Sequence, residues 1–340
     1  MLEIDGSYGE GGGQIVRYAA ALATHTHTPI HITNIRANRP NPGLRPQHYA
    51  ALHFLQQLSN AETDGINVGS EEVTFTPGPI IPGSYNYDIG TAGSITLVYQ
   101  ACLLAVHTIK KPLTISLIGG TDVRWAPSWD YFTHVFLPTL QKLGIATKPH
   151  LIQRGYYPKG GGQAKLIINP IQKISPLHNG EEPHYDLIKG NIHYAHLPDH
   201  IPQRIKHTIQ KYAVKHDLQV SLEIDNQTTP ISPGTGVTLW TCSKKGCLGA
   251  SQPGERGMRA EELGNTVITE LHKQIENEAT LDNLLFDQIL PYMVLSEKTS
   301  NCRVSTMSNH AQTTMWLLKQ FFDVDFEIAS EETYVCLLYT

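Results

Sequence analysis

Strand-like and helix-like segments alternate along this chain, and this alternation limits the possible folds more than any other feature of the sequence. The strand-like segments have alternating β-branched residues with turn residues at their ends, and they are 29–35, 72–76, 113–117 and 164–168. The helix-like segments have apolar residues at helical spacing, and they are 14–23, 46–58, 94–107 and 129–143. For the last helix, Ser128 is the predicted N-cap and Gly144 the predicted stop. We expect an α/β protein of layered α+β architecture, in which helices cover sheets.

A Gly-rich sequence occurs twice. Residues 6–14 read GSYGEGGGQ, residues 155–163 read GYYPKGGGQ, and each lies beside a strand-like segment. We interpret the pair as a sign of repeated supersecondary units, although common turn chemistry would give the same likeness.

The composition of the chain changes near residue 184. Residues 184–275 are more polar than the rest and include a basic amphipathic stretch at 200–215. A chain of 340 residues is long enough for two domains at about 150 residues each. We therefore predict that 1–183 and 276–340 form one core and that 184–275 is a smaller α/β domain inserted into it.

The charge balance excludes a protein that holds nucleic acid through charge alone. Lys and Arg together number 26 and Asp and Glu 31, for a net charge of −5. The charges are segregated, because residues 101–250 carry 16 basic and 9 acidic side chains whereas residues 251–340 carry 6 and 14. No apolar run of membrane length and no signal-like start is present, so we expect a soluble, cytoplasmic protein without a membrane partner.

The five cysteines are scattered along the chain, and only Cys242 and Cys247 lie close together. No second pair of Cys or His stands at the spacing of a zinc site. We therefore predict reduced thiols, with neither a structural zinc nor a disulfide framework.

Two segments have the composition of anion-binding loops. The Gly-rich loop at 9–14 leads into a helix that carries Arg17, and backbone N–H groups at such a helix start attract anions. The segment 35–48 contains Arg36, Arg39 and Arg45 and no acidic residue, which suits phosphate or carboxylate recognition. A tight turn without a ligand and solvated surface arginines are the alternatives for the two segments.

Two further loops follow strands or begin helices. Residues 90–94 open an apolar helix, and residues 119–122 end in Asp122, which we expect to be an exposed carboxylate. Ordinary turn chemistry would explain either loop alone.

One histidine is a candidate nucleophile. A strand-like segment at 303–307 runs into a predicted helix, and His310 stands near the helix start. The helix dipole there disfavours the protonated imidazole, and neutral imidazole is the nucleophilic form. The alternative is a histidine with only a structural hydrogen bond. The residues by themselves indicate an α/β enzyme that handles anions, and they do not identify its substrate.

Eight segments taken together, in order and over essentially the whole chain, resemble the RNA 3′-terminal phosphate cyclase family. They are 5–17, 35–48, 89–100, 119–127, 155–163, 254–264, 286–293 and 308–314. The resemblance implies a core of repeated β-α-β-α-β-β units with a smaller inserted α/β domain.

The resemblance also implies a reaction and its partners. ATP and an RNA with a 3′-phosphate end give a 2′,3′-cyclic phosphate, AMP and pyrophosphate, with a divalent metal, Mg or Mn. The residue that matches the family's nucleophile is His310, which would carry AMP as a covalent histidine–AMP. AMP would then pass to the RNA 3′-phosphate, and the adjacent 2′-OH would expel it.

By the same matching, the resemblance assigns roles to further residues. Those implied to contact the nucleotide are Gln100, Pro127, Tyr131, Leu284, Leu285, Phe286, Asp287 and Gln288, with Pro127 and Tyr131 enclosing the adenine. Those implied to bind the triphosphate or the RNA end are Arg17, Arg36, Arg39, Arg45 and Gln47. Gln14 stands at a candidate metal position. The chain departs from the family pattern at Ala311, Thr314 and Leu284, where many members carry Thr, Asn and Tyr.

Three rival functions remain open at the level of the sequence. One is a non-catalytic branch of the same family that acts in ribosome biogenesis and lacks the nucleophilic histidine, and the presence of His310 and the arginines favours the enzyme. Another is a transferase that acts on a phosphorylated small molecule. The third, a pure RNA-binding module, lacks the expected basic stretch with interleaved aromatic residues. The net charge excludes a protein that binds a long stretch of nucleic acid without regard to sequence. It does not exclude a protein that binds one phosphorylated RNA end.

Overall fold

The computed structural model describes residues 1–106, 109–226, 229–296 and 298–328. The chain begins with a βαβαββ unit. Its elements are β1 (Leu2–Asp5), α1 (Gly13–Thr26), β2 (Ile30–Thr33), α2 (Pro46–Ser59), β3 (Glu62–Asp64) and β4 (Val73–Thr76). The sheet order is β1-β2-β4-β3, in which β1 and β2 are parallel and the other pairs antiparallel.

The second unit repeats the first. Its elements are β5 (Ser84–Asp88), α3 (Ile95–Ala105), β6 (Leu113–Gly119), α4 (Trp129–Tyr131), a π-helical turn (Phe132–Phe136), α5 (Leu137–Lys142), β7 (Thr147–Gln153) and β8 (Gly162–Ile168). Its sheet order is β5-β6-β8-β7 with the same pattern of parallel and antiparallel pairs. The predicted repeat of βαβαββ units is therefore present.

An additional sheet with its own apolar cluster follows β9 (His178–Asn179). Its elements are β10 (Ile188–Ala195), α6 (His200–Lys215), β11 (Val220–Asn226), β12 (Gly234–Cys242), β13 (Cys247–Pro253) and α7 (Ala260–Glu276). The sheet order is β11-β10-β12-β13, and α6 and α7 pack together. The basic stretch at 200–215 is α6, which buries Ile205, Ile209 and Ala213. The boundaries 183/184 and 275/276 stay predictions.

The chain then returns to the earlier pattern. Its last described elements are α8 (Asn283–Leu295), β14 (Asn301–Cys302) and α9 (Asn309–Phe321). Because β14 pairs in parallel with β9, the order β9-α8-β14-α9 repeats the start of the first two units, with the additional sheet between β9 and α8. Helix α1 contacts α2, α3 and α9, and its buried alanines form part of the main apolar core.

The strands predicted at 29–35, 72–76, 113–117 and 164–168 and the four predicted helices are present, with ends shifted by a few residues and with a π-helical turn inside the last helix. Ser128 caps its helix as predicted, since its Oγ accepts a hydrogen bond from the N–H of Tyr131. The predicted end of the 94–107 helix lies outside the described residues. The strand predicted at 303–307 is wrong, because the strand covers only Asn301–Cys302 and the carbonyl of Arg303 instead accepts hydrogen bonds from Thr280 and Leu281.

The Gly-rich echo does not mark the repeat. Residues 6–14 lie between a strand and a helix, whereas residues 155–163 lie between the two strands of a hairpin. What the two segments share is turn chemistry: Gly9 and Gly160 both have positive φ, at 58° and 68°, a conformation that glycine adopts without strain.

The prediction of reduced cysteines is wrong for one pair. Cys242 and Cys247 face each other at the end of the β12–β13 hairpin and form a disulfide. Their close approach arises from the strand register, which a spacing in sequence does not reveal. Cys102 and Cys302 are buried thiols, and Cys336 lies outside the described residues. In the described part of the chain, the longest apolar helices fall short of what a membrane crossing needs.

Candidate active site

A cleft of about 760 Å³ lies where the loops after β1, β2 and β6 meet the first turns of α1 and α9. These loops follow parallel strands at their carboxyl ends, which is where open α/β sheets bind ligands. Most of the residues assigned by resemblance line it, namely Gln14, Arg17, Arg36, Arg39, Arg45, Gln47, Gln100, Pro127, Leu284, Asp287, Gln288 and His310. Segments that are far apart in sequence thus form one site.

Three of the assigned residues do not line the cleft. Tyr131, Leu285 and Phe286 are fully buried in the apolar core. The Tyr131 hydroxyl donates a hydrogen bond to Asp282 Oδ1 at 2.8 Å. The predicted enclosure of an adenine by Pro127 and Tyr131 is therefore not what the structure shows, because a tyrosine paired inside the core offers no ring face to the cleft.

His310 lies in the first turn of α9, on the cleft wall. Ser308 caps this helix, and its Oγ accepts a hydrogen bond from the N–H of Ala311 at 2.9 Å. The imidazole is half-exposed, and its Nε2 lies 3.5 Å from Glu10 Oε2. The cap fixes the helix start, so the ring is held at the mouth of the Gly-rich loop.

Arginines line one wall of the cleft, close to His310, with one carboxylate among them. Arg39 pairs with Glu10 at 3.2 Å, and Arg36 donates hydrogen bonds to the carbonyls of Asn41 and Gly43. Burial, together with Arg45 and Arg39, lowers the pKa of Arg36, yet a guanidinium stays charged at neutral pH. A cluster with this excess of positive charge attracts multiply charged anions such as phosphates.

His48 keeps the middle of this cluster uncharged. Burial, reinforced by Arg17, Arg36 and Arg45, lowers the pKa of His48 to about 3. Its Nδ1 accepts a hydrogen bond from the N–H of Arg45 at 3.2 Å, so the ring proton of the neutral form sits on Nε2. A Cβ at Gly13 would lie 1.9 Å from that Nε2, which explains the glycine there.

The departures from the family pattern near His310 still make hydrogen bonds. Thr314 Oγ1 donates to the carbonyl of His310 at 3.0 Å and accepts from Gln14 Nε2 at 2.8 Å. Ala311 is buried and uses only its backbone N–H, toward Ser308. Thr314 thus ties α1 to α9 directly behind the candidate nucleophile.

The far wall of the cleft is less charged. Gln100 donates a hydrogen bond to Gln288 Oε1 at 2.7 Å, and the apolar side chains of Leu97, Pro127 and Leu284 lie beside them. Such a mixture of apolar faces and amides suits a flat heterocyclic base.

Sequence reasoning missed several residues that line this cleft, and Glu10 and Trp125 are the most informative of them. Glu10 is the only acid in the Gly-rich loop, and that isolation was the available signal. Trp125 lies on the cleft rim, 90% exposed and with a φ of 58°, a conformation that is unusual for a bulky residue. Nothing in its local pattern distinguishes it from a core tryptophan.

Asp122 was expected to be exposed and is buried. It accepts a hydrogen bond from Arg154 at 3.1 Å, and its other oxygen lies 3.3 Å from His193 Nε2. Arg154 also holds Asp130 at 2.9 Å, and Asn191 donates to the same carboxylate. Burial alone would raise the pKa of Asp122, but His193 and Arg154 hold it below its usual value. This buried network joins the loop before Pro127 to strand β10.

Comparisons with known proteins agree with this geometry. A sequence model of the family described as RNA 3′-terminal phosphate cyclase matches residues 8–328. The chain belongs to this family. A cyclase of that name from Pyrococcus furiosus is 41% identical over 330 residues, covering 96% of this chain and 95% of its own. Two further cyclases of that name are similar to this chain to the same degree. The one from Methanosarcina barkeri is 41% identical over 332 residues, covering 98% of each chain, and the one from Nitrosospira multiformis is 40% identical over 332 residues, covering 97% of this chain and 94% of its own.

Asp287 gives the protein a predictable dependence on pH. Burial raises its pKa to about 7 from the usual 3.8, although the Ser308 hydroxyl donates to its Oδ1 at 2.6 Å. Between these two pKa values the folded state therefore holds a proton that the unfolded state has released. The protonated Asp287 contributes its full stability below the pKa of the unfolded state, and this contribution is lost as the pH rises through the pKa of the folded state. A shift of this size corresponds to about 4 kcal/mol at most.

We expect Asp287→Asn to stabilise the protein at alkaline pH and to leave it nearly unchanged in acid. The substitution should raise the free energy of unfolding by about 2 kcal/mol more at about pH 8 than at about pH 4. This is less than the maximum, because the cleft side of the carboxyl group keeps some contact with water. Urea unfolding across that range measures it, with Asp64→Asn, an exposed position on β3, as the matched control. Parallel pH profiles for Asp287→Asn and the unsubstituted protein would contradict the assignment.

Proposed function

We propose that this protein converts the 3′-terminal phosphate of an RNA into a 2′,3′-cyclic phosphate at the expense of ATP. The observation that carries the proposal is the position of His310, a half-exposed imidazole at a capped helix start, in a cleft that is also lined by a cluster of arginines. Family membership and the names of the relatives support the same reaction. A cytoplasmic location stays a prediction.

The proposed first step uses His310 as a nucleophile. A lone pair of its neutral imidazole attacks the α-phosphorus of ATP, an N–P bond forms, and the bond from that phosphorus to the bridging oxygen breaks as pyrophosphate leaves. Imidazole is both a good nucleophile and a good leaving group on phosphorus, so a covalent histidine–AMP divides one difficult exchange into two easier ones. The Ser308 cap and the Gln14–Thr314 contact hold α9 in place for this attack.

The later steps use the arginine wall. An oxygen of the RNA 3′-phosphate attacks the AMP phosphorus and the N–P bond breaks, which returns His310 to its free form. The adjacent 2′-OH then attacks the activated 3′-phosphate, and AMP leaves. Arg36, Arg39 and Arg45 line the cleft and would hold the charged oxygens in line, and preorganised cations of this kind account for most of the catalysis of phosphoryl transfer.

We assign the base of ATP to the less charged wall. Pro127 and Leu284 present apolar surface, and the Gln100–Gln288 pair offers amide groups to a base edge. Leu284, which replaces the Tyr of many members, is 40% exposed and gives this wall less flat surface than a ring would.

The chain has oxygen donors that fit a divalent metal. Glu10 presents a carboxylate in the cleft, and Gln14 Oε1 is a buried oxygen with no hydrogen-bond partner among the described residues. Carboxylate and amide oxygens are the donors that Mg and Mn prefer, with phosphate oxygens completing the shell. The metal would supply charge neutralisation on the phosphates. The isolated position of Gln14 Oε1 supports its predicted place at the metal site.

The reaction itself is the direct test of the proposal. The protein, ATP, magnesium and an RNA with a 3′-phosphate should give an end that phosphatase no longer removes, with one AMP and one pyrophosphate released for each end cyclised. The same RNA with a 3′-hydroxyl is the control and should remain unchanged. A 3′-phosphate that stays sensitive to phosphatase under these conditions would refute the proposed function.

A further inference from the structure

Helix α6 carries a charged face that the proposed reaction does not use. Its basic side chains His200, Arg204, His207, Lys211 and Lys215 recur every three or four residues and line one groove, of about 580 Å³, between α6 and α7. The opposite face of the helix is buried against the additional sheet. The groove defined by these five residues, here called the α6 groove, is therefore a solvent-facing basic surface.

Most of the charge in the α6 groove is not neutralised by neighbouring acids. Arg204 pairs with Glu261 through two hydrogen bonds of 2.7 and 2.8 Å. Among the residues that the structure describes, Lys211 and Lys215 have no carboxylate within ion-pair distance. These two lysines stand four residues apart on one helix face, where like charges destabilise a helix slightly. A surface built only for stability would place acidic residues there.

Aromatic rings accompany the charge. Tyr212 lines the α6 groove, and its ring stacks on that of His216 with centroids 4.2 Å apart. Cationic side chains beside stacked rings are the combination that binds single-stranded nucleic acid, because phosphates meet the cations and bases meet the ring faces.

The α6 groove is connected to the active-site cleft by a short segment. Pro253 lines the cleft and Glu261 lines the groove, so the extended chain allows them to be at most about 29 Å apart. Glu255, which lies in this stretch, forms an ion pair with Arg124, the neighbour in sequence of Trp125 at the cleft rim. An RNA whose 3′ end lies in the cleft can therefore reach the groove with upstream nucleotides.

We propose that the α6 groove binds the RNA strand upstream of the 3′-phosphate, and that it contributes affinity for long substrates. The inference rests on the proposed function, since it takes an RNA end in the cleft as the starting point. The chemistry recognised is a single-stranded polyanion, read through phosphates and stacking and without base-specific contacts.

The test is a double variant, Lys211→Ala with Lys215→Ala, assayed on two RNA 3′-phosphates: a dinucleotide and a strand of about 20 nucleotides. We expect KM for the long strand to rise about 10-fold with kcat unchanged, because two phosphate contacts are lost. The slope of log KM against log salt should fall by about 1.4 for the long strand. Values for the dinucleotide, and adenylation of the protein by ATP alone, should not change.

Lys206→Ala is the matched control, since Lys206 lies on the same helix and does not line the groove. Equal KM values for the long strand in the double variant and the control would overturn the inference. An equal rise for both RNA lengths would overturn it as well, because the cause would then lie in the cleft. Adenylation and dinucleotide cyclisation by the unsubstituted protein report on the proposed function separately, so failure of one proposal is distinguishable from failure of the other.

Discussion

Replacement of His310 by alanine should abolish the covalent protein–AMP species that forms on incubation with ATP and magnesium. The imidazole is the one group of the protein proposed to bond to phosphorus, and an alanine methyl group cannot take its place. Because the nucleophile is lost outright, we expect cyclisation to fall by a factor on the order of 10³ or more. Intact mass spectrometry should show one added AMP on the unsubstituted protein, located on the peptide that contains His310, and none on the variant.

The chemistry of the adduct and a matched histidine variant make this result specific. A phosphoramidate is labile in acid, so the added mass should disappear on acid treatment. His31→Ala removes a histidine on β2 that contacts Glu3 outside the cleft, and it should leave the adduct intact. An adduct of normal yield on His310→Ala would show that another residue is the nucleophile and would refute the proposed mechanism.

Arg154→Met should destabilise the protein more than any other single change considered for this chain. The guanidinium is almost fully buried and lies between the carboxylates of Asp122 and Asp130. Methionine fills a similar volume but leaves two buried carboxylates without their cation. Removing one partner of a buried ion pair costs about 3 to 5 kcal/mol, and we expect a loss of that size in the free energy of unfolding, measured in urea.

Two further variants distinguish the loss of stability caused by the missing buried charge from the loss that any arginine substitution would cause. Arg154→Lys keeps the charge but loses the forked geometry, so its loss should be smaller than that of Arg154→Met. Arg204→Met removes an exposed arginine paired with Glu261 and should leave the unfolding midpoint nearly unchanged. A loss below about 1 kcal/mol for Arg154→Met would mean that the carboxylates find other partners, and it would contradict the assigned role.

Periodicity predicted the elements well because each strand or helix is a local pattern. The basic stretch at 200–215 coincides with α6, and the 46–58 helix differs from α2 by one residue. The arginines of the cleft were found because their segments are dense in glycine and arginine, whereas other cleft residues, such as Gln100 and Asp287, were assigned only by the family resemblance. The grouping of those segments into one site came from the family resemblance, since loops at the ends of separate strands meet only in three dimensions.

The errors at Asp122 and Tyr131 share a physical cause, which is a partner distant in sequence. Asp122 is buried because Arg154 and His193 neutralise it, and neither residue is visible from the loop that contains Asp122. Tyr131 is withdrawn from the cleft because Asp282, which follows the additional sheet in the sequence, accepts a hydrogen bond from its hydroxyl group. The disulfide follows from the register of one hairpin. Local composition therefore revealed neither the burial of a side chain whose partner is distant in sequence nor the pairing of two cysteines that the register of a hairpin brings together.

The position of the additional sheet between β9 and α8 has a consequence for synthesis of the protein on the ribosome. The pairing of β9 with β14 closes a span of the chain in which Leu177 and Ser300 are 123 residues apart. The arginine wall is complete once residue 47 has emerged, but His310 is added only after the whole additional sheet. At about 5 to 20 residues per second, that interval is roughly ten seconds to a minute. A nascent chain would thus carry the arginine segments of the cleft for that interval without the proposed nucleophile, and the proposed first step could begin only after His310 has been added.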